Sequence, residues 1–182
     1  MRGQIVVAGL AVMAVSGCAA EREPVAVPPP APIAADVAAA SSGGACRLLD
    51  FAVIEEHLKV RFDVAAASQR GDTHTCVVRA GDAVLPELTL AVTKASVDKT
   101  TFAADVVPDS ASKVSGLGQQ AYRRTTAAAA GHGPVAEVGW LSAEGRLVTL
   151  EWTSPRGTAK AAVDKVAGEL AALGKKVNTR AL

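Results

Sequence analysis

Aromatic residues are scarce in this chain, as are cysteines and any excess of charge of one sign. Its 182 residues include three Phe, two Trp, one Tyr and three Cys, with 19 basic against 18 acidic side chains. The formal net charge of +1 argues against a nucleic-acid partner, because neutralising phosphates needs a basic stripe. The 49% hydrophobic content argues against an acidic disordered protein. The length fits one ordinary domain, or one domain with a tail.

The apolar run at the amino terminus is too short to span a bilayer. Ile5–Val15 is uncharged and follows a head that carries Arg2. Its length suits an export signal and falls well short of the ~20 residues that a membrane-spanning helix needs. The run ends in Val15-Ser16-Gly17-Cys18, which matches the bacterial lipobox. We predict a lipoprotein signal peptide over residues 1–17 and lipidation at Cys18; a plain secretory signal or a buried amino-terminal helix is the alternative.

A diacylglyceryl group on Cys18 would carry two acyl chains, enough for stable anchoring. We therefore expect this anchor to hold the protein on the outer, extracytoplasmic face of the cell membrane, so that the membrane is its partner. Residues 19–44 hold five of the nine prolines and end in a Ser/Gly stretch, a composition that cannot offset the entropy of ordering. We predict that residues 18–44 are the lipidated cysteine plus a disordered Ala/Pro-rich tether, followed by a globular domain over 45–182.

Cys46 and Cys76 remain once Cys18 is lipidated. In an exported domain two thiols most often form one disulfide. A zinc pair is the alternative, but no cluster of further His or Cys ligands lies nearby in the sequence. A redox pair would need closer C-x-x-C spacing. We predict a structural disulfide, no metal site and no cofactor.

Hydrophobic periodicity divides residues 45–182 into helices and strands. A helical face runs within Cys46–Phe62, with Asp50 placed to cap a helix that begins at Phe51. Alternating or β-rich segments predict five strands, namely His74–Ala80, Leu85–Ser96, Gln119–Thr126, Val135–Leu141 and Leu147–Thr153. Lys99–Asp105 is predicted to be a short helix or turn.

The last helix follows an apolar stripe with spacings of four and three residues, made up of Ala159, Val163, Val166, Leu170 and Leu173. Thr158 is the expected N-cap and Gly174 the expected C-cap. We predict an α+β fold, a two-layer sandwich in which a curved antiparallel sheet of about five strands carries two main helices on one face. Trp140 and Trp152 should enter the same core.

Short motifs in a fixed order resemble a known family. They are the lipobox and tether, Cys46-Arg47-Leu48-Leu49, Cys76 in the next strand, and Val114-Ser115-Gly116-Leu117-Gly118 with Ala121 after it. Over residues 45–182 the chain resembles the uncharacterised actinobacterial lipoprotein domain of mycobacterial and streptomycete cell-envelope proteins, with Val77 where an aromatic residue is expected. The resemblance implies a Cys46–Cys76 bridge, a turn leading into the third strand, and no enzyme activity.

The sequence offers few residues for catalysis. It contains no G-x-S-x-G, H-E-x-x-H or H-x-H pattern. His57 and His74 are expected to be solvated, and so is His132, although its Gly-rich loop makes it the likeliest acid–base residue of an enzyme. Gly116-Leu117-Gly118 should be a tight turn, because it lacks the third glycine and the context of a dinucleotide loop. The pairs Arg123-Arg124 and Lys175-Lys176 are expected to be solvated, or to touch anionic head groups or wall polymers.

We predict a non-enzymatic, lipid-anchored extracytoplasmic envelope protein that binds a partner protein or a small apolar ligand. A sheet covered by helices on one face leaves the other face, or the gap between the layers, for binding. The sequence assigns no catalytic residue and no particular ligand-binding residue. The alternatives are an extracytoplasmic hydrolase that acts on a wall or lipid substrate, and a passive structural surface protein.

Overall fold

The computed structural model describes residues 42–182. The predicted signal peptide, the lipidation of Cys18 and most of the predicted tether lie outside these residues. The helices are α1 (Phe51–Leu58), α2 (Lys99–Thr101) and α3 (Lys160–Gly174). The strands are β1 (Val64–Arg70), β2 (Thr73–Arg79), β3 (Glu87–Lys94), β4 (Ser112–Val114), β5 (Gln120–Thr126), β6 (Val135–Leu141) and β7 (Arg146–Thr153). Short 3-10 turns over Gly44–Leu48 and Thr179–Ala181 flank them, and a π-helical turn over Phe102–Val106 extends α2.

The strands form one open antiparallel sheet in the order β1-β2-β3-β7-β6-β5-β4. The predicted α+β class is confirmed, but the sheet has seven strands rather than about five. The five predicted strands correspond to β2, β3, β5, β6 and β7. The two that the sequence did not reveal are the outermost ones. β1 is mostly exposed and rich in alanine, so it lacks alternation, and β4 is only three residues long.

One face of the sheet carries the main core. Leu88, Leu90 and Val92 of β3 are buried while the residues between them are half-buried. The register places Leu90 between Cys76 and Leu150, so the core continues across the sheet. As predicted, Trp140 and Trp152 belong to this one core.

The helices α1 and α3 pack against each other, and α3 also packs against β5, β6 and β7. Asp50 caps α1 as predicted, since its Oδ1 accepts a hydrogen bond from the Ala52 amide at 2.8 Å. The predicted caps of α3 are wrong. Ala159 occupies the N-cap, while the Thr158 hydroxyl donates to the Pro155 carbonyl at 2.8 Å. Gly174 is the last residue of the helix, and Lys175 is the C-cap.

The disulfide between Cys46 and Cys76 is present, as predicted, with the two Cα atoms 4.9 Å apart. Both cysteines are fully buried. The bridge joins the 3-10 turn that precedes α1 to the second strand of the sheet. Ser42, at the start of the described chain, donates to the Ala65 carbonyl of β1 at 2.8 Å, so the entering chain contacts the outermost strand.

The opposite face of the sheet carries a smaller cluster at one end. Phe102, from the π-helical turn, packs there with Tyr122 and Leu141, and all three side chains are buried. Beyond this cluster the same face continues over β2, β3 and β7, where half-buried side chains alternate with core residues. We call this region the open face; it consists of Thr75, Val77, Thr89, Ala91, Thr149 and Glu151.

Candidate functional site

A row of polar side chains crosses the open face from strand to strand. The register pairs Thr89 with Glu151, Glu151 with Glu137, and Glu137 with Arg124. Paired residues in antiparallel strands point to the same face of the sheet. Two carboxylates, Glu137 and Glu151, therefore lie side by side at the margin of the open face.

Glu137 is the buried member of this row and is fully provided with donors. Only 7% of it is exposed. The Tyr122 hydroxyl donates to its Oε1 at 2.6 Å, while Nε and Nη2 of Arg124 donate to its Oε2 at 3.1 and 2.6 Å. Burial, and then the bond to Glu137, raises the pKa of Tyr122 well above its usual range. The bond to Glu137 also raises the pKa of Arg124, so both donors keep their protons.

Glu151 differs from its neighbour because it has no hydrogen bond or ion pair within residues 42–182. It is half-buried. Burial, and then the charge of Glu137, raises its pKa, although the charges of Arg124 and His132 act in the opposite direction. The pair thus combines a carboxylate satisfied within the fold and one that is left without a partner.

Replacing Glu151 with Gln should raise the free energy of unfolding by about 0.5 kcal/mol near neutral pH, because like charges directly opposite each other destabilise a sheet by this order. With a folded-state pKa above the unfolded one, stability falls as the pH rises from the ordinary value of 4.5 through the higher folded value. Glu151→Gln should remove this part of the pH dependence. Urea unfolding at about pH 4 and about pH 7 measures both effects.

The control for this prediction is Glu169→Gln on the exposed side of α3, which removes the same charge away from the sheet. The effect of this substitution on the free energy of unfolding should be small and nearly the same at the two pH values. A destabilised Glu151→Gln variant, or equal gains in both variants, would contradict the proposed repulsion.

An ion pair between Arg79 and Glu87 borders the open face at the neighbouring row of β2 and β3. Both residues are on the same side of the sheet as Glu151. Because Glu87 is already paired, Glu151 is the carboxylate of this region that forms no hydrogen bond or ion pair within the described part of the chain.

The three histidines are scattered. His132 is half-buried, and its Nδ1 lies 2.6 Å from the carbonyl oxygen of Gly133; within residues 42–182 its side chain forms no hydrogen bond to a serine or a carboxylate. His74 is half-buried beside Lys94 and Arg146 in a cavity of about 240 Å³. The prediction of a solvated His57 is wrong for its Nε2, which is buried without a hydrogen-bond partner.

The other motifs singled out in the sequence have mainly structural positions. Gly116 and Gly118 have φ angles of 72° and 55°, a left-handed conformation that favours glycine. A β carbon at Gly118 would lie 2.9 Å from Cδ1 of Trp140 and would also meet the backbone of Leu141. The turn between β4 and β5 therefore requires glycine for its packing.

The carboxyl-terminal turn is held by a second group of charges. The guanidinium of Arg146 donates to the carbonyls of Thr179 and Leu182, each at 2.5 Å. Glu144 accepts from Arg180 at 2.7 Å and from the Thr179 hydroxyl at 3.0 Å. These bonds, that of Arg180 first, lower the pKa of Glu144 to about 2. This group fixes the turn against the end of the sheet.

Comparison of the chain with protein-family models, with curated proteins and with solved structures finds no match. The resemblance to the actinobacterial lipoprotein domain therefore stays a prediction. Between residues 42 and 182, no helix combines the length and the apolar character needed to cross a membrane.

Proposed function

We propose that this chain is a non-enzymatic, lipid-anchored extracytoplasmic envelope protein that binds a partner protein through the open face. The amino-terminal signal, the lipobox and the disulfide support an exported, anchored domain. The proposal places α1 and α3 on one face of a two-layer domain, with the other face available for the partner.

The observation that carries the proposal is the unpaired, half-buried carboxylate of Glu151. A carboxylate in this position lowers the stability of the free domain, because it is partly desolvated and faces Glu137. A lysine or arginine from a partner would compensate it with a charge-assisted hydrogen bond. The half-buried threonines and alanine around it offer hydroxyls and small apolar groups. The partner we propose is therefore a protein that presents a basic side chain to Glu151.

The small apolar ligand is supported less well. Two of the four cavities described here are lined largely by charged or hydroxyl side chains or by turn backbone, and the third combines Lys94 and Arg146 with His74, Val92 and Leu182. The fourth, formed by Val64, Val84 and the loop after β2, is a surface depression of about 270 Å³. Pockets that bury a whole small molecule are usually larger, at about 300–1,000 Å³.

Photo-crosslinking in the native host tests the proposal. A photoreactive side chain in place of Thr89, on the open face, should give one defined protein adduct with the full chain. Adding Glu151→Gln should reduce that adduct several-fold although the domain is then more stable. The same photoreactive side chain in place of Glu169, on the exposed side of α3, should not give this adduct.

Two results would overturn the proposed interface. One is an adduct from Thr89 that Glu151→Gln leaves unchanged, and the other is the same adduct from both positions.

The hydrolase alternative has one observation in its favour, since two neighbouring carboxylates in unlike environments can serve as an acid–base pair. Turnover of isolated envelope material by the wild type and not by Glu151→Gln would support the hydrolase instead.

A further inference from the structure

A second surface feature lies at the sheet edge formed by β4 and β5. β4 pairs only with Ala121–Arg123 of β5, so residues 124–126 of β5 extend beyond it. A cavity of about 270 Å³ occupies this place, between the extended part of β5 and the first turns of α3. Its lining residues are Ser110, Ser112, Arg123, Arg124, Thr125, Lys160, Asp164 and Ala167. We call it the edge cavity.

The charges of the edge cavity do not cancel. Lys160 donates to both carboxylate oxygens of Asp164, at 2.8 and 2.9 Å, and Arg124 is paired with Glu137. Arg123 is exposed and has no hydrogen bond or ion pair within the described residues. One guanidinium charge is thus left over.

This surplus persists over the neutral pH range. The hydrogen bond from Lys160, followed by that from Thr125, lowers the pKa of Asp164, and the charge of Arg123 acts in the same direction. Asp164 therefore stays ionised and balances Lys160. Because arginine keeps its proton at any physiological pH, the remaining charge of Arg123 does not depend on titration.

The position of Arg123 is defined by the helix beside it. A β carbon on Gly168 of α3 would lie 3.6 Å from the Nη1 atom of Arg123, so the guanidinium rests against α3 where the helix has no side chain. The hydroxyls of Ser110 and Ser112 line the same cavity and form no hydrogen bond within residues 42–182. They are available as donors to the same ligand.

The guanidinium of Arg123 and the hydroxyls of Ser110 and Ser112 line the same cavity. A guanidinium without an ion pair and hydroxyls without hydrogen bonds are donors that suit an oxyanion. The edge cavity is therefore suitable for an oxyanion.

We propose that the edge cavity binds a phosphodiester group. A phosphodiester carries one negative charge, which matches the single uncompensated cation, whereas a phosphate monoester carries about −1.5 to −2 at neutral pH. The planar guanidinium of Arg123 can donate two parallel bonds to the two free oxygens of the group. A cavity of this size holds the phosphate, with both substituents leaving through its open side.

The same chemistry has two sources at a cell surface, the headgroup of an anionic phospholipid and a phosphodiester that is free or part of a polymer. The proposal is independent of the partner protein on the open face, since it requires neither Glu151 nor a protein ligand. Failure at one site therefore says nothing about the other.

Calorimetric titration with glycerophosphoglycerol, a soluble phosphodiester, tests the site. The protein is the full chain carrying Cys18→Ser, kept in a non-ionic detergent. Adding Arg123→Gln should weaken binding about tenfold, the usual effect of losing a charge-assisted contact. Arg70→Gln is the matched control, because Arg70 is exposed and lies in β1 at the opposite edge of the sheet. It should leave the affinity unchanged.

Three outcomes would overturn the proposal, namely no binding at millimolar concentrations, equal losses of affinity in the two variants, and tighter binding of inorganic phosphate than of the diester.

A second measurement separates the two sources of the phosphodiester. Binding to phosphatidylglycerol vesicles that exceeds binding to phosphatidylcholine vesicles, and that Arg123→Gln removes, identifies the lipid headgroup. Arg123-dependent binding of the soluble diester alone identifies a free or polymeric phosphodiester. Since every variant carries the same amino-terminal segment, its own membrane affinity cancels in this comparison.

Discussion

Replacing Cys46 and Cys76 together with alanine should lower the free energy of unfolding by about 3 to 4 kcal/mol, since the bridge closes a loop with a sequence separation of 30. The two sulfurs lie in the core at full burial, so the loss includes some packing as well as the added entropy of the unfolded chain. Thermal and urea unfolding with and without reductant measure the effect.

The measurement with reductant also provides the control for this prediction. Reductant should destabilise the wild type by nearly the same amount and leave the double variant unchanged, because that variant has no bridge to lose. Cys18→Ser should behave as the wild type in this assay. A double variant as stable as the oxidised wild type would refute a stabilising role for the bridge.

Replacing Gly139 with alanine should destabilise the domain by about 3 kcal/mol. Gly139 lies opposite Tyr122 in the sheet, and a β carbon there would collide with Cε1, Cζ and Oη of the tyrosine ring. The ring cannot simply move away, since it is buried and its hydroxyl bonds to Glu137. Displacing it costs overpacking energy and leaves the Glu137 carboxylate short of a donor.

Urea unfolding measures this loss, and the ring-proton NMR signals of Tyr122, the chain's single tyrosine, report the tyrosine environment. Gly168→Ala is the matched control. There the new β carbon would meet Arg123 at an ordinary contact distance of 3.6 Å, and alanine within a helix stabilises by up to ~1 kcal/mol. Equal changes in the free energy of unfolding for the two variants would show that the contact with Tyr122 does not prevent a larger residue at position 139.

The sequence predicts the interior of this domain better than its edges. In β3 and β7 alternation is strong, because their inward residues are large and apolar and most of the outward ones are polar. The helical stripe of α3 is strong for the same reason. At the sheet margins this signal disappears. β1 reads Val-Ala-Ala-Ala-Ser-Gln-Arg, with little contrast between its faces, and only pairing with β2 makes it a strand.

The sequence did not predict the candidate site at Glu137 and Glu151, for a different reason. The hairpin of β6 and β7 was predicted, and its turn already implies that Glu137 and Glu151 lie on the same, outward face. What periodicity does not show is that Glu137 is buried there, because Phe102 and Tyr122 cover this end of the face only after residues distant in sequence pack together. Burial of a polar side chain depends on tertiary contacts, for which neither spacing nor composition gives a signal.

The disulfide also determines how the domain transmits mechanical load. A pull on the chain ahead of Ser42 reaches Cys46 after four residues and then passes through the sulfur bridge into β2, the second strand from the sheet edge. Residues 47–75, which include α1 and β1, lie inside the covalent loop and bear no tension. Tension from the amino-terminal side therefore enters the sheet at its second strand, and the outermost strand carries none of it.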